Sequence, residues 1–139
     1  MTMIDPPGDA PDPATGSGCV LFVDDDDDLR GLFVEMVGVF LARRCVGLGS
    51  YEELVELGDD ALRCRVAVLD INLGPNQPSG IDAYTWLRRR GYDGRIVFLT
   101  GHASSHPLVV EAHRLGDVEI FSKPIDPERM IAMLEESVH

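Results

Sequence analysis

Apolar residues along this chain fall into two alternating spacings. Short, nearly unbroken runs (Cys19–Val23, Cys45–Leu48, Val66–Leu69, Arg95–Leu99 and Val118–Ser122) have the length and boundaries of β-strands. Between them the apolar positions move to helical spacing. Leu29, Leu32, Phe33, Met36, Val37 and Phe40 line one face of a helix that Asp27 or Asp28 can cap and that reaches about Arg44. Further helices are predicted over Tyr51–Leu62 with Ser50 as cap, and from Gly80 to about Arg90. Another runs from Pro107 to Leu115 with Gly116 as its stop, and the last from Pro127 to about Ser137 after Asp126. Strands that alternate with helices in this way imply a parallel sheet covered on both faces. The second strand is the weakest of the five. Residues 1–18, with Pro6, Pro7, Pro11 and Pro13 and three glycines, read as a disordered tail ahead of a folded unit at 19–139.

The strands end on polar residues. The first runs directly into Asp24–Asp28, the third closes on Asp70, the fourth on Thr100, and the fifth leads to Lys123. Open parallel sheets gather their ligands at the carboxyl ends of strands. Three carboxylates (Asp24, Asp25 and Asp70), a hydroxyl and an ammonium gathered there describe a phosphoryl-transfer site. A carboxylate can attack phosphorus, a divalent metal can bridge acids and phosphoryl oxygens, and lysine can hold a further oxygen.

Composition sharpens the reading. The 139 residues are 45% hydrophobic and carry a formal net charge of -12, from 24 acidic and 12 basic residues. That balance argues against nucleic acid and against anionic membrane as partners. No apolar run approaches the ~20 residues of a membrane span, and no secretory leader is visible. Eleven of the basic residues are arginines, so Lys123 is the sole lysine. Cys19, Cys45 and Cys64 are far apart and odd in number, which predicts idle thiols in a reducing cytoplasm rather than a disulfide or metal framework.

The ordered set VDD after the first strand, VLDINL around Asp70, FLTG around Thr100 and SKPI around Lys123 resembles the response-regulator receiver domains of two-component signalling, the CheY-like family. The separations of 30 residues from Asp70 to Thr100 and 23 from Thr100 to Lys123 suit that family. The resemblance implies a flavodoxin-like, doubly wound α/β domain with strand order 2-1-3-4-5. It implies Asp70 as phosphoacceptor and Mg2+ (or Mn2+) held by Asp24, Asp25, Asp70 and the backbone carbonyl of Asn72. Thr100, Gly101 and Lys123 would contact the phosphoryl group, and the Lys123–Pro124 bond would be cis. The partners implied are a histidine kinase or phosphotransfer protein and a downstream target protein. That target would be met on the exposed face of the helix 107–115, the fifth strand and the last helix. With 15 residues after Pro124, the chain reads as a stand-alone receiver, not an enzyme.

Three departures accompany the resemblance. The loop from Asn72 to Ser79 is longer than receivers commonly have, and carries Pro75 and Pro78. Ile120 stands where an aromatic switch residue is usual, while Phe121 should face the opposite side of the sheet. His102, two residues after Thr100, either tunes phosphate lifetime or is an exposed loop histidine. The alternatives to a phosphorylated switch are a pseudo-receiver adaptor and a phosphatase of the haloacid-dehalogenase type. Against the phosphatase, Asp28 stands where that family wants Thr or Val.

Overall fold

The structure, a computed structural model, describes residues 18–138. Five strands, β1 (Val20–Val23), β2 (Cys45–Leu48), β3 (Val66–Asp70), β4 (Arg95–Thr100) and β5 (Val118–Ser122), form one parallel sheet in the order β2-β1-β3-β4-β5. Five α-helices connect and flank them: α1 (Asp27–Leu41), α2 (Tyr51–Leu57), α3 (Gly80–Arg89), α4 (Pro107–Arg114) and α5 (Pro127–Val138). This is the expected doubly wound α/β architecture and strand order.

Strand alternation sorts the core into two layers. Val20, Phe22, Val66, Val68, Val97 and Leu99 face Phe33 and Val37 of α1 and Met130, Met133 and Leu134 of α5. Leu21, Val23, Ala67, Leu69, Ile96 and Phe98 face Leu54 of α2, Ala83 and Leu87 of α3, and Val109 and Ala112 of α4. Phe22 and Phe33 stack with centroids 3.9 Å apart, which fixes α1 against β1. The central strands β1 and β3 are buried along their whole length, which is why their sequences are continuous apolar runs. Ile120 packs on the α2, α3 and α4 side and Phe121 on the α1 and α5 side, on opposite faces as the alternation requires.

Several boundaries differ from the sequence reading. Helix α1 stops at Leu41 because Ala42 adopts a left-handed conformation (φ 53°) that turns the chain into β2. Its cap is Asp26, whose carboxylate accepts from the backbone N–H groups of Asp28 and Leu29. The helix expected over Tyr51–Leu62 ends at Leu57, and Gly58–Arg63 continues as a 3-10 segment after Gly58 takes φ 66°. Arg88, in the last turn of α3, is held by the carbonyls of Tyr92 and Gly94 and by Asp117. The tail expected over residues 1–18 lies almost wholly outside the described residues.

The cysteine reading is corrected. Cys19 and Cys64 form a disulfide, and Cys45 is the free thiol. The two lie 45 residues apart in sequence, but each leads into one of two adjacent parallel strands. The Arg65 N–H donates to the Cys19 carbonyl at 2.8 Å, and the cysteine Cα atoms are 4.3 Å apart. Spacing along a chain does not reveal that parallel pairing brings such residues together.

Candidate functional site

Among the described residues, three polar side chains are classed as fully buried: Asp24 (0% exposed), Asp70 (4%) and Thr100 (3%). Each stands at the carboxyl end of a central strand, β1, β3 and β4 respectively. Buried carboxylates are costly unless bonded and neutralised. Lys123, one residue past β5, supplies both needs. Its Nζ donates to Asp24 Oδ2 at 3.0 Å and to Asp70 Oδ2 at 3.1 Å. The Lys123 N–H donates to the Thr100 carbonyl at 2.8 Å, extending the β4–β5 pairing to the site. The Lys123–Pro124 peptide is cis. The other carboxylate oxygens are also bonded: Asp24 Oδ1 accepts from the Asp26 N–H at 2.9 Å and Asp70 Oδ1 from the Asn72 N–H at 3.3 Å.

The position of Asp70 is fixed from behind by α3. A Cβ built on Gly80 would stand 2.3 Å from the Asp70 carbonyl oxygen, so only glycine lets this helix start where it does. Ser79 caps the helix in a capping box with Asp82.

Electrostatics at the site favour a bound cation. Burial, and next the neighbouring Asp24 carboxylate, raise the pKa of Asp70 to about 7, although Lys123 and the Asn72 N–H pull it down. Partial burial alone would depress Lys123, but its bonds and attraction to Asp24 and Asp70 outweigh that and raise it. One ammonium thus serves two buried carboxylates, with Asp25 exposed beside them.

Above these groups opens a cleft of about 530 Å³, lined by Asp24, Asp25, Asp26, Asp70, Asn72, Gly101, His102 and Lys123. One carboxylate oxygen each from Asp24, Asp25 and Asp70 lie within 4.8 Å of one another. Three hard oxygen donors at that spacing fit a small divalent cation such as Mg2+ or Mn2+. Thr100 does not line this cleft. Its Oγ1 accepts from the His102 N–H at 2.9 Å, which leaves the hydroxyl proton as a donor. His102 is half-buried at the rim, with Nε2 3.3 Å from the Asn72 amide nitrogen, and its ring stacks on His106. Asp26 stands in place of the expected Asp27 or Asp28 as the cap of α1, and it also lines the cleft. Sequence reasoning missed Arg30, which reaches back to the Asp24 carbonyl at 2.8 Å. Its signal was a lone cation two residues beyond an acidic run.

A sequence model of the response regulator receiver domain matches residues 20–135. The chain belongs to the response-regulator receiver family. Curated relatives of this receiver include the response regulator protein TodT of Pseudomonas putida, 27% identical over 122 residues, 86% of this chain and 51% of the relative. TmoT of Ectopseudomonas mendocina is 26% identical over 121 residues, 86% of this chain and 52% of the relative. The chain therefore spans about half the length of the curated relatives it matches. Among solved structures, the receiver domain of NtrX from Brucella abortus superposes with a TM-score of 0.72 at 21% identity, covering 86% of this chain and 97% of its own. The chemotaxis protein CheY4 of Vibrio cholerae gives 0.70 at 21% identity, covering 86% and 98%. Those likenesses show the fold, with its five-stranded order. No helix among the described residues is long and apolar enough to cross a membrane.

Proposed function

We propose that this receiver accepts a phosphoryl group on Asp70 from the phosphohistidine of a kinase or phosphotransfer protein. The observation that carries the reading is the placement of Asp24, Asp70 and Thr100 as buried polar residues around the chain's sole lysine. An Asp70 oxygen attacks phosphorus, the phosphorus–nitrogen bond breaks, and the imidazole leaves with a proton. Asp24, Asp25, Asp70 and the Asn72 carbonyl would hold Mg2+, which when bound neutralises charge on the transferring oxygens. Lys123 then releases Asp70 Oδ2 and takes a phosphoryl oxygen, while the Thr100 hydroxyl donates to another.

Up to about two negative charges arrive at the end of β3. The responding elements are the residues bonded to them: Thr100, the loop through His102 and His106 that caps α4, and Lys123 at the end of β5. The readout surface is the α4-β5-α5 face, and Val110 of α4 is an exposed apolar residue. Ile120 is half-buried against the α2, α3 and α4 layer of the core, so an aromatic rotamer at that position is not the transmitting device. The activity needed is phosphoryl acceptance and slow loss, and turnover of other substrates is not part of this reading.

The experiment is incubation with phosphoramidate and Mg2+, followed by intact mass measurement. A gain of roughly 80 Da, one phosphoryl group, that is absent in Asp70→Asn supports the proposal. No gain in mass with any divalent metal would make the chain a phosphorylation-independent adaptor. Sustained hydrolysis of small phosphate esters would make it a phosphatase.

A further inference from the structure

Five consecutive carboxylates, Asp24–Asp28, must be held in one loop conformation against mutual repulsion. Their hydrogen bonds to one another are short-range: Asp24 holds the Asp26 N–H, and Asp26 holds the N–H groups of Asp28 and Leu29. Lys123 holds the Asp24 carboxylate, and Arg30 is the cation that grips the main chain of the loop. Its Nη1 donates to the Asp24 main-chain carbonyl at 2.8 Å and its Nη2 pairs with Asp27. The side chain is 24% exposed, against 86% for its partner Asp27.

That side chain runs beside Gly47 and Gly49 at the end of β2. Gly47 and Gly49 alternate along the strand end, and neither has a left-handed φ. They provide space, not backbone freedom. A Cβ on Gly49 would stand 3.1 Å from Arg30 Nη1 and 3.3 Å from Glu53 Oε2, while one on Gly47 would stand 3.2 Å from Val34 Cγ2 and, at ordinary contact distance, 3.7 Å from Arg30 Cδ. Gly49, just past β2, thus leaves room for a guanidinium whose far end grips the loop after β1, and Gly47 lies along its stem.

We propose that Arg30, seated in the slot left by Gly49, is a positioning residue that aims the Asp24–Asp25 acid pair at the metal site. This rests on the metal-holding reading above. The peptide plane that carries the Asp24 carbonyl also carries the Asp25 nitrogen, so gripping that oxygen sets the direction in which Asp25 leaves the backbone. Among the described residues nothing donates a hydrogen bond to the Asp25 carboxylate, so the backbone alone directs it. The effect opposes simple electrostatics. As a charge, Arg30 repels a second cation, and its removal should tighten Mg2+ binding. As a brace, its removal loosens the acids and weakens binding.

Calorimetric titration of the full chain with MgCl2 separates the two. Arg30→Gln is expected to raise the Mg2+ dissociation constant about tenfold, the usual cost of losing a residue that orients metal ligands. Gly49→Ala, which keeps the charge but intrudes on the slot, is expected to move it in the same direction. An unchanged or lower constant for Arg30→Gln overturns the proposal. A normal constant for Gly49→Ala overturns the slot. Should Arg30→Gln lose its circular dichroism signature, Gly49→Ala alone decides. Absence of Mg2+ binding by the wild-type chain would instead overturn the metal-holding reading on which this one rests.

Discussion

Lys123 and Asp70 are joined by a 3.1 Å hydrogen bond across 53 residues of sequence, and the same ammonium holds Asp24 at 3.0 Å. One cation therefore neutralises two buried anions. Lys123→Ala leaves both carboxylates facing each other without a counter-charge. The metal-free protein is expected to lose about 1–3 kcal/mol, less than for a fully dry pair because Lys123 is partly exposed to water. Mg2+ should restore more stability to this variant than to the wild type, since it binds the folded cluster only. Thermal unfolding in EDTA and in MgCl2 gives both quantities. Equal melting temperatures for variant and wild type in EDTA would show that the ammonium is not the compensating charge.

The raised pKa of Asp70 has a definite sign in stability. A carboxyl lifted from its ordinary 3.8 to about 7 favours the folded state while it is protonated. That contribution is fully present below the unfolded value and is lost as the pH rises through about 7. In Asp70→Asn the loss cannot occur. Without metal, wild type should therefore fall behind Asp70→Asn between about pH 4 and pH 8, by on the order of 3 kcal/mol. Denaturant titrations across that range measure it. Parallel stability curves for the two proteins would mean that Asp70 is not perturbed.

The Cys19–Cys64 bond closes a loop of 45 residues. Chain-entropy arguments put the stabilisation from a loop of that length at about 4 kcal/mol. Cys45 contributes no competing reactivity while folded, because burial pushes its thiol up to about 12. After denaturation without reductant, alkylation should label Cys45 alone; after reduction it should label all three cysteines. The reduced protein should also unfold at lower denaturant. Three labelled thiols in the unreduced protein would exclude the bond.

That bond marks where the sequence stopped being legible. Strand alternation and strand-end chemistry depend on local order, so the sheet, its helices and the Asp24, Asp70, Thr100 and Lys123 set could be read from runs and spacing. Contacts made across parallel neighbours could not. Cys19 meets Cys64 because β1 lies beside β3, and Arg30 meets Gly49 because α1 lies over β2. Helix ends were blurred for another reason. Asp26, Asp27 and Asp28 are equivalent as caps in sequence, and only the direction of the loop leaving β1 selects Asp26.

Two glycines beside the site make opposite predictions. Gly80 opens α3, where alanine should help by up to about 1 kcal/mol through helix propensity alone. Its Cβ would nevertheless stand 2.3 Å from the Asp70 carbonyl oxygen and 3.0 Å from the Ile71 Cα, both rigid backbone atoms. Overlap should win, so Gly80→Ala is expected to destabilise the fold by about 1–3 kcal/mol and to slow labelling by phosphoramidate as Asp70 shifts. Gly101 has nothing within 4 Å of its Cβ position. Gly101→Ala should keep wild-type stability to within about 0.5 kcal/mol. Its methyl group does stand on the wall of the cleft. Phosphorylation by a protein donor should therefore slow more than phosphorylation by phosphoramidate, because only the larger donor must close over that wall. Equal slowing with both donors would place the effect of Gly101 on the chemistry at Asp70 and not on access to it.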